Sequence, residues 1–208
     1  MKHLDLFSGI GGFALAASWV WGTNHKIESF CEIEPGVREI LSKHWPDTPI
    51  HEDITTMDFS KFKDIDLITG GFPCQDISNA GKCEGIGGKR SGLWRYLHSA
   101  ISTIQPRYVV IENVSALIVR GLGTVLSDLA SIGYDAEWEN LSAYAFGASH
   151  IRKRLWIVAY PVGKFGTLPV FGRNSGTCKE RHKGEKVRSQ NRVFDQMGPS
   201  PLKRLHPW

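Results

Sequence analysis

The sequence has no run of about 20 apolar residues, so it holds no ordinary membrane-spanning helix, and no membrane partner is expected. It has no Cys-x-x-Cys pair and no Cys/His cluster at zinc-finger spacing, so no metal site is expected. Cysteines stand only at 31, 74, 83 and 178, and a disulfide framework does not suit a core-rich domain of this size. Its first glycine cluster is followed by no Gly-Lys-Ser/Thr, which argues against a nucleoside triphosphate. The N-terminus lacks a signal-peptide layout: Met1-Lys2-His3-Leu4-Asp5 runs straight into an apolar segment, and the expected location is cytoplasmic.

What is present is ordinary globular material. The 208 residues are 41% hydrophobic and 22% charged, with seven Trp and ten Phe to fill a core. That length suits one full domain with an appendage. Charge divides the chain: residues 1–160 carry 15 Lys and Arg against 18 Asp and Glu, and residues 161–208 carry 10 against 3. The expected organisation is a globular domain over 1–160 and a basic, partly disordered tail over 161–208. The tail reads as a solvated segment or a polyanion-contacting arm.

Across the first 160 residues, short apolar runs alternate with helical stretches. Strands are expected over 4–7, 27–31, 64–69, 108–111 and 155–159, and helices over 13–21, 35–44, 93–104 and 122–132. Pro35 suits a first helical position. Residues 13–21 are apolar on nearly all sides, as in a helix packed between the sheet and the solvent layer. Residues 108–111 read as a strand buried on both faces. The alternation implies βαβ units and an α/β fold, a doubly wound, mostly parallel sheet with helices on both faces. Such sheets bind ligands at the carboxyl ends of their strands.

Residues able to do chemistry collect at that edge. The turn Ser8-Gly9-Ile10-Gly11-Gly12 follows the first strand and brings backbone close to a ligand, or is simply a tight turn. Glu32 ends the second strand about 20 residues later, where a carboxylate can take hydrogen bonds from ribose hydroxyls. Asp53 is either a cap or a partner for an adenine amino group. Cys74 follows Gly70-Gly71-Phe72-Pro73 and precedes the polar Gln75, Asp76, Ser78 and Asn79, which points its thiol into the cleft as a nucleophile. Cys31, Cys83 and Cys178 read as packing residues. Glu112 ends an apolar strand, where desolvation raises a carboxyl pKa and suits it to donate a proton. Strand alternation puts His150, Arg152 and Arg154 on one face, and the guanidinium forks suit planar acceptors.

These residues in this order resemble the DNA (cytosine-5) methyltransferase family. Asp5-Leu6-Phe7-Ser8-Gly9-Ile10-Gly11-Gly12-Phe13 is similar to its cofactor-binding motif, and Gly71-Phe72-Pro73-Cys74-Gln75 to its catalytic Pro-Cys motif. Glu112-Asn113-Val114 matches its Glu-Asn-Val motif, and residues 150–154 its Gln-x-Arg-x-Arg motif with His150 in place of Gln. The likeness covers about residues 4–160. It implies a Rossmann-like domain of the class I methyltransferase type. S-adenosyl-L-methionine would be bordered by Phe7, Gly9, Ile10 and Gly12. Glu32 would hold its ribose and Ile33 would pack on adenine, with Asp53, Ile54, Pro73 and Leu93 nearby.

The resemblance further implies double-stranded DNA as partner and a cytosine flipped from the duplex. Cys74 would attack C6 and Glu112 would act at N3. Arg152 would orient Glu112, and Arg154 would bind the base carbonyl or a phosphate. Gln75, Ser78, Lys82, Lys89, Arg90 and His150 would meet DNA. The loop over 78–91 would close on DNA. No target-recognition region or final family motif is recognisable after Tyr160, so the chain reads as a catalytic portion, and a second chain carrying that region is an expected partner. The alternatives are a non-catalytic remnant or accessory subunit, a nicotinamide-dependent oxidoreductase, and an RNA cytosine methyltransferase. The glycine spacing disfavours the oxidoreductase.

Overall fold

A computed structural model describes residues 1–73 and 91–163. In chain order the elements are β1 (Lys2–Leu6), α1 (Gly12–Trp21), β2 (Lys26–Cys31), α2 (Pro35–His44), β3 (Ile50–His51) and β4 (Leu67–Gly70). They continue with α3 (Trp94–Ile104), β5 (Tyr108–Val114), α4 (Leu117–Arg120), α5 (Leu122–Ser131), β6 (Tyr134–Ser142) and β7 (Lys153–Pro161). The strands form one sheet in the order β3-β2-β1-β4-β5-β7-β6. The first five run parallel, and β7 lies antiparallel to both β5 and β6. This is the doubly wound α/β architecture expected of the sequence.

The larger core fills one face of the sheet. Leu4, Leu6, Ile68, Val109, Ile111, Leu155 and Ile157 meet Leu97 and Ile101 of α3 and Val125 and Leu129 of α5. On the other face a smaller cluster of Ala14, Ile27, Phe30 and Leu41, backed by Trp45 and Ile50, seats α1 and α2 on the β1–β3 side.

Several expectations change. The fourth strand starts at Leu67, not 64, because Asp64 turns the chain with φ 57° and Asp66 accepts the Lys2 N–H through its carboxylate at 2.8 Å. β5 is not buried on both faces: Val109 and Ile111 are enclosed, while Tyr108, Val110 and Glu112 are only half-buried. α1 lies between the sheet and solvent, as expected. Small Ala14 and Ala17 bring it onto the sheet, and Leu15, Trp19 and Val20 face solvent. β6 was not expected at all. It is an edge strand, mostly unburied, and it carries Asp135, Glu137 and Glu139, residue types depleted in strands.

Packing separates positions that look alike in sequence. Leu97→Ala, in the enclosed core, is expected to cost about 2–5 kcal/mol. Trp19→Ser is expected to change stability by less than about 0.5 kcal/mol. Urea unfolding of both variants checks the contrast, and equal losses would contradict the packing described.

Candidate active site

The glycine turn is tied to two strands at once. Ser8 N–H donates to the Cys31 carbonyl at 3.0 Å, and its hydroxyl donates to the Asp5 carbonyl at 2.7 Å. Cys31 N–H donates back to Ser8 Oγ at 3.1 Å. Before the turn, Phe7 takes φ 55°, a strained value for a side chain of its size. Gly11 needs to be glycine on two counts: its φ is 84°, and a Cβ there would lie 2.5 Å from the Trp45 ring. Ile10 projects outward from this turn, 64% exposed.

Glu32 is held beside the turn by backbone. Its Oε2 accepts Gly9 N–H at 2.8 Å, and its Oε1 accepts Glu34 N–H at 3.0 Å. Each oxygen keeps a second lone pair, so the carboxylate can still take two donors from a diol. Arg38, on α2, donates to the carbonyls of Glu32 at 3.2 Å and Ile33 at 2.6 Å, and so fixes this corner. Ile33 is 69% exposed and offers an apolar surface next to the carboxylate. Open backbone, a carboxylate with free lone pairs and exposed apolar side chains fit a nucleoside-bearing cofactor. Asp53 caps the short turn Ile54–Thr56, its Oδ1 accepting Thr55 N–H at 2.8 Å. Ile54 packs in the main core, while Pro73 and Leu93 are half-buried.

The adjoining half of the edge is built around Glu112. β4 hands over to Gly71, Phe72 and Pro73. Phe72 is buried with its ring centroid 5.5 Å from that of Trp94, and Asn113 Nδ2 donates to the Phe72 carbonyl at 3.1 Å. A Cβ on Gly71 would sit 3.3 Å from Glu112 Oε2, so the backbone leading to Pro73 runs against this carboxylate. Arg154 Nε donates to Glu112 Oε1 at 2.7 Å. This corrects two expectations. Glu112 does not stand alone in an apolar setting, since its side chain is 28% exposed and ion-paired. Arg154, not Arg152, is the arginine that holds it, because β7 begins at Lys153 and leaves Arg152 exposed ahead of the strand.

Cys74, Gln75, Ser78, Lys82, Lys89 and Arg90 lie outside the described residues, as does the tail beyond 163. Cys31 is a packing residue: burial pushes its thiol up to about 12, with Asp53 and Glu32 adding to the effect. His150 is exposed. Arg38 is not among the residues expected from sequence, and Asn113 stands there only as part of the Glu112-Asn113-Val114 motif, with no role assigned. Arg38 carried one signal, its place on a Pro-opened helix six residues past Glu32. Among the described residues no group of His, Cys, Asp and Glu could hold a metal ion, and no helix is long and apolar enough to cross a membrane.

The family model described as C-5 cytosine-specific DNA methylase matches residues 1–198. The chain is 36% identical over 167 residues to the type II methyltransferase M2.BsuMI of Bacillus subtilis, covering 76% of this chain and 42% of that protein. It is 27% identical over 198 residues to M.BanI of Aneurinibacillus aneurinilyticus, covering 90% of this chain and 44% of that protein. The chain thus spans less than half the length of either. Among solved structures, S. pombe Dnmt2 methyltransferase superposes with a TM-score of 0.66 at 25% identity, over 80% of this chain and 51% of that one. A Spodoptera frugiperda DNMT2 variant gives 0.66 at 21% identity over 83% and 53%, a likeness of fold.

Behind the glycine turn runs a buried polar chain. His25 Nε2 and His3 Nδ1 are 3.0 Å apart, His3 Nε2 lies 2.7 Å from Thr69 Oγ1, and the Thr69 hydroxyl donates to Asp5 Oδ1. Asp5 Oδ2 is buried without a hydrogen-bond partner among the described residues. Burial pushes the Asp5 carboxyl up to about 8, against the Thr69 hydrogen bond and with help from Glu32. Burial, aided by His25, pulls His3 down to about 3.

The two groups act on stability in opposite senses. Folded Asp5 holds its proton where the unfolded carboxyl has lost it, so its contribution falls as pH rises from about 4 to about 8. Unfolded His3 binds a proton that folded His3 refuses, so its contribution falls as pH drops from about 6.5 to about 3. Asp5→Asn is therefore expected to gain stability relative to the parent as pH rises from 5 to 8.5. Urea midpoints at the two pH values check this, and parallel shifts would contradict it.

Proposed function

The chain belongs to the C-5 cytosine-specific DNA methylase family, and on that premise we propose that it transfers a methyl group from S-adenosylmethionine to C5 of a cytosine extruded from double-stranded DNA. The observation that carries this reading is the meeting of two half-sites at one crevice. Leu6, which leads into the glycine turn, pairs with Gly70, which leads through Gly71 along Glu112 to Pro73 and its chain neighbour Cys74.

The residues divide the work by chemical type. The 8–12 turn and Glu32 hold the adenosine end of the cofactor, with Glu32 accepting from the ribose hydroxyls. When bound, S-adenosylmethionine supplies an electrophilic methyl group. C5 of cytosine is a weak nucleophile by itself. The Cys74 thiolate adds to C6 and makes C5 electron-rich. Glu112 bonds the N3 edge of the base, where charge develops during the attack. Arg154 fixes Glu112 in place, a positioning role. Arg152 is left to meet the base carbonyl or a phosphate. Loss of the C5 proton and expulsion of Cys74 then restore the ring.

We further propose that another polypeptide segment, in this or a second chain, packs on α1. Leu15, Ala16, Trp19 and Val20 form an exposed, uncharged stripe at helical spacing, larger than a lone surface apolar residue. Target recognition belongs to that further polypeptide.

DNA substituted with 5-fluorocytosine tests the chemistry, because the fluorine blocks loss of the C5 proton and traps the adduct. A covalent complex that requires S-adenosylmethionine is expected, and Cys74→Ser abolishes it. Absence of the complex, even with partner chains supplied, would favour a non-catalytic accessory role. Arg154→Ala is expected to slow adduct formation about 10²–10³-fold. Arg152→Ala is expected to slow it less than about tenfold. Quenched time courses distinguish the two arginines, and the reverse ranking would contradict the assignment of Arg154.

A further inference from the structure

Two connections leave the carboxyl edge beside the Glu112–Arg154 pair. Residues 115–121 follow β5, and residues 143–152 join β6 to β7. The second is a pinned tip rather than a loose loop. Ser142 pairs with Lys153, Ala143 N–H donates to the Arg152 carbonyl at 3.0 Å, and Ala148 N–H donates to the Ala143 carbonyl at 3.2 Å. Its root is one residue from Arg154, so the tip projects past the end of the sheet next to Glu112.

The tip presents large side chains to solvent. Tyr144 is 68% exposed and Phe146 74% exposed. Single exposed apolar residues need no explanation, but two aromatic rings on one ordered turn do. Charge indicates what they meet. Residues 115–121 and 143–153 contain Arg120, His150, Arg152 and Lys153 and not one Asp or Glu. The outer strand β6 instead carries Asp135, Glu137 and Glu139, and α1 carries no charge at all. Flat rings on connections that carry cations and no acid of their own match a polyanion whose units are themselves flat rings.

We propose that Tyr144 and Phe146 form a base-stacking surface for DNA, which takes the face of a base left unpaired next to the extruded cytosine while Arg152 and Lys153 meet the flanking phosphates. This rests on the methylation reading above and adds to it a contact outside the reacting centre. Stacking tolerates any base, so it assists extrusion without reading sequence. Both rings are exposed, so their removal leaves the fold intact.

The test uses the full chain with S-adenosylhomocysteine and two duplexes, one fully paired and one with an unpaired 2-aminopurine. The wild-type chain is expected to quench 2-aminopurine fluorescence. The Tyr144→Ser/Phe146→Ser double variant is expected to bind the unpaired duplex at least about tenfold more weakly, to change affinity for the paired duplex less than about threefold, and to keep its thermal midpoint. Absence of quenching by the wild type, or equal change on both duplexes, overturns the proposal. So does a variant that keeps its DNA affinity and loses only a protein partner. The 5-fluorocytosine adduct separates this from the parent reading. An adduct without quenching leaves methylation standing and removes the stacking surface. Quenching without an adduct does the reverse.

Discussion

The pairing of β1 with β4 sets the geometry of everything at the carboxyl edge. The two strands run parallel with Leu6 opposite Gly70, and the chain leaves them toward opposite ends of the sheet. After β1 it turns through the glycines toward β2. After β4 it continues along Gly71 toward β5. Parallel strands cannot be joined by a tight hairpin, so their exits diverge and leave a crevice at the point where strand order reverses. One side of that crevice is the glycine turn with Glu32 held against it. The other is Glu112, against which the Gly71 backbone runs.

The two carboxylates of the edge are held by different means. Glu32 is fixed by two backbone N–H groups, and Arg38 braces the carbonyls behind it. Such a group is oriented by the main chain and keeps lone pairs for hydroxyl donors. Glu112 is held by the side chain of Arg154 and faces the Gly71 backbone. A guanidinium fixes the orientation of the carboxylate it meets through a charge-assisted hydrogen bond. Asn113 adds the remaining constraint by anchoring the Phe72 carbonyl, which pins the start of the segment that carries Cys74.

The exposed surfaces sort by charge as well as by apolarity. α1 is uncharged and presents Trp19 and Val20, a surface suited to protein. The 143–152 tip mixes aromatic rings with cations, a surface suited to nucleic acid. The second stands next to the Glu112–Arg154 pair.

Much of this was legible in the residues. Pro35 marked a helix start, the apolar runs marked the parallel strands, and the Ser8-Gly9-Ile10-Gly11-Gly12 turn and Glu32, about 20 residues on, were placed at one edge, where Gly9 N–H meets the Glu32 carboxylate. β6 was hidden because an edge strand needs few apolar residues and this one carries three acids. Local pattern, backbone stiffness and spacing along the chain thus determined the fold class and the residue types at the edge, since each depends only on near neighbours. Arg152 and Arg154 are equivalent by strand alternation, and nothing local separates them. Only the start of β7 at Lys153 and its register on β5 decided that Arg154 meets Glu112, because strand pairing joins residues far apart in sequence.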